Sequence, residues 1–141
     1  MFNADKQSLI KAFNKFLPCE SILTLEADCR VYECDGLSAY RQPPWLVLLP
    51  ATIEEIQQIV KICVAHQVPI VARGAGTGLS GGALPRQDGV LLGLAKLNKI
   101  LTVDLDNLQA TVQPGVRNLA ISEAVADYGL FYAPDPSSQI A

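Results

Sequence analysis

Apolar and polar residues follow two periods along this chain, and the switches between them mark its elements. In residues 52–66, Ile56, Ile59, Val60, Cys63 and Val64 recur at i, i+3, i+4, i+7 and i+8, which predicts an amphipathic helix. Thr52 and Glu55 supply a capping box at its start. Residues 1–16 show helical spacing of Leu9, Ile10, Phe13 and Phe16 with lysines between, and the helix ends before Pro18. Strands are predicted over residues 45–49, stopped by Pro50, then over 68–72 and 89–94. Residues 100–104 and 108–113 alternate as two further strands, joined by a turn at Leu105, Asp106 and Asn107. Pro114-Gly115 breaks that ladder. A helix capped by Asn118 then runs to Tyr128, with Gly129 as its stop, followed by a short strand over 130–133. Residues 27–42 read as irregular, with a short helix over 37–41. The fold class is α+β. Its strand–helix–strand stretch over residues 45–72 reads as a βαβ unit, with parallel strands and a right-handed crossover.

Between residues 72 and 89 both periods vanish. The sequence there is Arg73-Gly74-Ala75-Gly76-Thr77-Gly78-Leu79-Ser80-Gly81-Gly82, directly after a strand. Glycine lets the backbone take positive φ and approach a ligand closely. Successive N–H groups in such a loop form a concave anion site. Thr77 and Ser80 add hydroxyl donors, and Arg73 adds a positive charge that either neutralises a diphosphate or anchors the loop to a nearby acid. A Walker A loop would need a lysine after its second glycine, and no lysine lies between Arg73 and Lys96. Gly76, Gly78 and Gly81 match the Rossmann spacing, but that fingerprint opens a helix, and Pro85 and Gly89 follow instead. No kinase lysine strand or catalytic loop follows either. What remains is a strand-to-strand loop that wraps a pyrophosphate with backbone donors.

This loop resembles the FAD pyrophosphate loop of the vanillyl-alcohol-oxidase / p-cresol-methylhydroxylase flavoproteins, the PCMH-type FAD-binding domains. Pro134-Asp135-Pro136-Ser137-Ser138-Gln139-Ile140-Ala141 resembles a second FAD-contacting segment of that family. Between them, Leu91, Gly93, Leu94, Lys96, Leu97, Asn98 and Ile100, and then Val112-Gln113-Pro114-Gly115-Val116, fit in order and spacing. The similarity is greatest to the branch of FAD-linked glycolate oxidase subunits and D-lactate dehydrogenases. It divides the chain into a helical segment over residues 1–22 and a PCMH-type domain over residues 23–141 that is truncated at its C-terminus. The resemblance implies that Arg73, Gly74, Ala75, Gly76, Thr77, Gly78, Leu79, Ser80 and Gly81 bind the cofactor, together with Pro134, Asp135, Ser137 and Ser138. Some relatives carry a histidine at or near Thr77 and bind flavin covalently. None lies in this loop, so the FAD is expected to be non-covalent. Pro114-Gly115 is expected to be a structural turn near the adenine side rather than a direct ligand.

The resemblance also implies hydride transfer from the α-carbon of a small 2-hydroxy acid to the flavin, with substrate binding and base catalysis in a carboxy-terminal domain. It implies an iron–sulfur partner subunit as well. The alternatives are a non-catalytic FAD-binding module, and a fragment that binds nothing and aggregates through exposed sheet edges. The residues themselves offer no defensible catalytic triad or carboxylate pair.

Composition narrows the classes further. A charged fraction of 18% against 50% hydrophobic residues reads as globular. A net charge of −3 without a basic run gives nucleic-acid binding no support. The four cysteines, Cys19, Cys29, Cys34 and Cys63, form no Cys-x-x-Cys pair, and His66 is not at ligand spacing from any of them. They read as reduced thiols of a cytoplasmic protein, with no metal site. His66 reads as a helix C-terminal residue. The start of the chain lacks the apolar core of a signal peptide.

Overall fold

The structure is a computed structural model that describes residues 5–134 and 136–141. Its main sheet has four strands: β1 (Ile22–Leu23), β2 (Leu46–Leu48), β3 (Ile70–Arg73) and β4 (Val90–Gly93). They lie in the order β1-β2-β4-β3. β1 is antiparallel to β2, while β2, β4 and β3 are parallel, with Val47 and Val71 both opposite Leu91. All of β4 is buried, as the central strand of a parallel set covered on both faces must be.

Alternation along these strands sorts the side chains into two cores. Leu46, Leu48, Val90 and Leu92 pack on one face with helix α1 (Lys6–Phe13) and helix α3 (Ile53–Ala65). Val47 and Leu91 pack on the other, against Cys29, Tyr32 and Val71. Cys29 ends the short helix α2 (Glu26–Cys29), and Tyr32 ends the 3-10 turn that follows it, Arg30–Tyr32. Leu9, Phe13 and Leu17 join the first core, so the amino-terminal helix is packed on the sheet. Asp5 caps α1, its carboxyl oxygens accepting from the N–H groups of Gln7 and Ser8 at 3.1 Å each.

The predicted capping box of α3 is present: Thr52 Oγ1 accepts from the Glu55 N–H at 3.1 Å, and Glu55 reaches back to the Thr52 N–H. The buried stripe differs from the expected one. Ile59 and Cys63 are buried, Ile56 and Ile62 flank them, and Val60 and Val64 are exposed. At about 100° per residue, Val60 and Val64 lie about 100° and 140° round from Ile59, whereas Ile56 and Ile62 fall about 60° to either side. The helix therefore turns Ile56, Ile59 and Ile62, not its valines, to the sheet.

β2, α3 and β3 form the expected parallel strand–helix–strand unit, but β4 inserts between its two strands. The β3–β4 connection over residues 74–89 is itself a crossover between parallel strands, and it contains no helix. Strands β5 (Ile100–Asp104) and β6 (Gln109–Val112) form a separate antiparallel hairpin. Its turn is held by Asp104, whose carboxyl accepts from the Asn107 backbone and side chain at 3.0 and 2.8 Å. Leu108 takes a positive φ in that turn, so β6 starts one residue later than expected.

Three local expectations are corrected. Residues 37–41 form a turn, closed by the Tyr40 N–H to the Leu37 carbonyl, because the short helices come earlier at α2 and the turn after it. Helix α4 (Asn118–Val125) has Arg117, not Asn118, as its N-cap, and no side chain caps it. A 3-10 turn continues it to Tyr128, and Gly129 ends it in the left-handed region, as expected. Residues 130–133 are irregular, because their backbone bonds go to α4 rather than to a strand: Leu130 N–H to the Val125 carbonyl and Tyr132 N–H to Ser122 Oγ. No helix among the described residues is long and apolar enough to cross a membrane.

Candidate functional site

β3 and β4 run parallel, so their carboxyl ends lie side by side, with Arg73 opposite Gly93. In sheets of this kind the crevice beyond the strand ends is the natural ligand position. An open cleft of about 530 Å³ lies there. Gly74, Ala75 and Thr77 line it from the glycine crossover, and Ala95 and Asn98 from the turn after β4. Residues 114–118 and Ala120 line it from the start of α4, and Ser138 and Ala141 from the end of the chain. Tertiary structure thus brings the two glycine- and serine-bearing segments to one place. Leu119 N–H, in the first turn of α4, holds the second of these segments to that helix by donating to the Gln139 carbonyl at 3.1 Å.

The crossover is rich in unpaired donors. Among the described residues, no backbone N–H from residue 75 to residue 83 donates to another protein group, and the first to do so is Leu84, to the Gly81 carbonyl. Gly76 and Gly81 have φ of +74° and +72°, which side-chain-bearing residues rarely adopt. Each lets the chain reverse direction where a Cβ would be strained. The start of α4, which no side chain caps, adds a helix N-terminus to the same cleft.

Arg73 serves the loop from behind. Its Nη1 donates to the Cys34 carbonyl at 2.6 Å, and its guanidinium lies 5.6 Å from the centre of the Tyr32 ring. A Cβ on Gly76 would run into that guanidinium. Of the two roles open to Arg73, the geometry shows the anchor, and the anchor point is a backbone carbonyl rather than an acid.

The remaining expected residues are placed less uniformly. Gly78, Leu79 and Ser80 are exposed, and Gly81 is partly so; none of them lines the cleft. Pro134 lines a separate apolar groove with Phe131, Tyr132, Leu108 and Ile121. Ser137 is exposed beside Ser138, and Asp135 lies outside the described residues. Pro114-Gly115, expected as a structural turn, is closed by the Val116 N–H to the Gln113 carbonyl at 3.1 Å, and it also lines the cleft. A Cβ on Gly115 would lie 2.6 Å from the Leu94 carbonyl oxygen and 2.9 Å from that of Leu97. The available signal was a glycine between a strand end and a helix start.

The thiols play no part in the cleft. Burial pushes Cys63 up to about 11 and also raises Cys29. Both are poor nucleophiles. No group of three metal-binding side chains occurs among the described residues.

Comparison with known proteins places this geometry. The chain is 52% identical over 139 residues to the glycolate oxidase subunit GlcD of Escherichia coli K12, covering 99% of this chain and 28% of that protein. It is 48% identical over 108 residues to the GlcD subunit of Bacillus subtilis, covering 77% of this chain and 23% of the relative. A D-lactate dehydrogenase of Anaerostipes hadrus is 32% identical over 141 residues, covering 99% and 30%. The chain thus spans under a third of the length of these relatives. Among solved structures, p-cresol methylhydroxylase with substrate bound superposes with a TM-score of 0.77 at 26% identity, covering 91% of this chain and 26% of that one. An alkyldihydroxyacetonephosphate synthase shares the fold, with a TM-score of 0.81 at 19% identity over 98% of this chain and 30% of that one. The family model described as FAD binding domain matches residues 44–141, and with these relatives it establishes that the chain belongs to the FAD-binding domain family of PCMH-type flavoproteins.

Proposed function

We propose that this chain holds the pyrophosphate of a non-covalently bound FAD in the cleft at the carboxyl ends of β3 and β4, within a flavin-dependent oxidoreductase of 2-hydroxy acids. The observation that carries this reading is the run of unpaired backbone N–H groups over residues 75–83, of which Ala75 and Thr77 line the cleft beside the start of α4. Each hydrogen bond from such a donor to a charged oxygen contributes about 1.5–3 kcal/mol, non-additively. Residues 74–81 and Ser138 carry the binding, Ser137 and the Pro134–Asp135 stretch support it, and Arg73 holds the loop. The flavin supplies the redox chemistry when bound, and the protein supplies its placement. The relatives' names, glycolate oxidase and D-lactate dehydrogenase, favour a small 2-hydroxy acid as substrate. The carboxylate-binding and proton-accepting groups then lie in the part of those proteins that this chain does not span. An iron–sulfur partner subunit as electron acceptor fits the subunit status of the GlcD relatives.

The test is titration of the full chain with FAD, followed by desalting and a visible absorbance spectrum, with ADP and FMN as competitors. Retained flavin that ADP displaces and FMN does not is the expected result. Absence of retained flavin, or displacement by FMN as readily as by ADP, overturns the assignment of the cleft to the pyrophosphate.

A further inference from the structure

The glycine loop is backed by a segment that no sequence motif singled out. Two contacts join them. The Cys34 carbonyl accepts from Arg73 at 2.6 Å. Gly36 lies so close to the loop that a Cβ there would stand 2.6 Å from the Thr77 carbonyl oxygen and 2.9 Å from that of Gly78. Asp35 sits between these two contact points and is only 6% exposed. Its Oδ1 accepts from the Leu37 N–H at 2.9 Å. Its Oδ2 is buried and has no hydrogen-bond partner, the one such side-chain atom found among the described residues.

A buried polar atom without a partner costs about 1–3 kcal/mol, and native proteins rarely keep one without use. An isosteric apolar residue would avoid that cost. The loop packed on both neighbours of Asp35 has the opposite property, a run of N–H donors without acceptors. The loop atoms that face residue 36 are the carbonyl oxygens of Thr77 and Gly78, so the N–H groups of Gly78 and Leu79 point away from it, and the donor nearest in sequence to this contact that is not aimed away by it is the Thr77 hydroxyl.

We infer that Asp35 is a positioning residue for the glycine loop: when the loop closes round its anion, the Thr77 hydroxyl passes to Asp35 Oδ2. This rests on the pyrophosphate reading of the cleft. The bond gives the loop a fixed rear support, so that its N–H groups stay aimed at the phosphate oxygens. The affinity of the site then depends on a residue that never touches the cofactor.

Asp35→Asn separates this role from a local one. Asparagine keeps the Oδ1 acceptor for Leu37 and the side-chain volume, and replaces Oδ2 with a donor. Asp35→Ala removes both acceptors. The readouts are FAD affinity by flavin fluorescence, apo-protein melting temperature, and amide hydrogen exchange over residues 74–83 with and without FAD. Asp35→Asn is expected to leave the apo melting temperature at or above that of the wild type. It should weaken FAD by about tenfold or more, the scale of one lost hydrogen bond, and abolish much of the FAD-induced protection of the loop. Asp35→Ala should weaken FAD similarly and also lower the melting temperature. FAD binding within about twofold of the wild type with normal loop protection in Asp35→Asn overturns the inference and leaves Asp35 a turn residue served by buried water. Wild-type protein that shows neither FAD binding nor loop protection overturns this inference and the pyrophosphate reading together, an outcome distinct from failure of Asp35→Asn alone.

Discussion

Gly76 offers the sharpest test of how the loop is built, because its substitution should couple to one specific arginine. Gly76→Ala perturbs two things at once. Its φ of +74° costs an L residue about 1–2 kcal/mol. Its new Cβ also falls on the Arg73 guanidinium and drives it from the Cys34 carbonyl, a charged hydrogen bond of 2.6 Å that contributes about 1.5–3 kcal/mol. The sum is about 2.5–5 kcal/mol, which lowers the melting temperature of a chain this size by on the order of 10–20 °C. The two parts separate in a double-mutant cycle. With Arg73→Ala already made, the Cβ has no guanidinium to displace, so Gly76→Ala should cost only the backbone share of about 1–2 kcal/mol. The coupling energy is then about 1.5–3 kcal/mol. Gly74→Ala is the control: it has no positive φ and no heavy atom within 4 Å of its would-be Cβ, and should stay within about 0.5 kcal/mol of wild type. Urea unfolding of the wild type, the three variants of the cycle and the control measures all of these terms. Additive costs for Gly76→Ala and Arg73→Ala, or a Gly74→Ala as destabilised as Gly76→Ala, would refute the claim that Arg73 braces the loop under Gly76.

Three further outcomes follow from the packing. Gly115→Ala places a Cβ among the carbonyl oxygens of Leu94, Ala95 and Leu97, and should destabilise by about 1–3 kcal/mol in thermal unfolding while weakening FAD, since Gly115 and Ala95 line the cleft. Thr52→Ala removes the acceptor for the Glu55 N–H and should cost about 1 kcal/mol in the same assay, with Thr52→Ser recovering most of it. In native protein at pH 8, alkylation followed by mass spectrometry should label the exposed Cys19 first. Cys63 should be spared until unfolding, because a thiol held near 11 by burial is ionised about one part in a thousand at that pH. Rapid native labelling of Cys63 would show that α3 is not packed as described.

Local chemistry along this chain is legible from residue order alone. Helix α3 follows from its capping box and periodicity, β4 from an unbroken apolar run, and the glycine crossover from the collapse of both periods after β3. These features rest on neighbours in sequence, where side-chain spacing and backbone freedom act directly. What spacing could not decide was which side of a helix faces the sheet when both sides carry apolar residues. Ile62 joined Ile56 at the core in place of Val60 and Val64 because the sheet presents its own leucines to that side, a fact of tertiary packing. The insertion of β4 between β2 and β3 was likewise hidden, since strand order depends on contacts far apart in the chain. That insertion sets the carboxyl ends of β3 and β4 side by side, and so creates the cleft. It also gathers Gly115, the start of α4 and Ser138 there, and seats residues 34–36 behind the loop. The sequence supplied the donors of the site and the glycines that free them. Only the fold chose what stands opposite those donors, because a hydrogen bond or a close approach needs two groups in one place, and the chain brings these pairs together from dozens of residues apart.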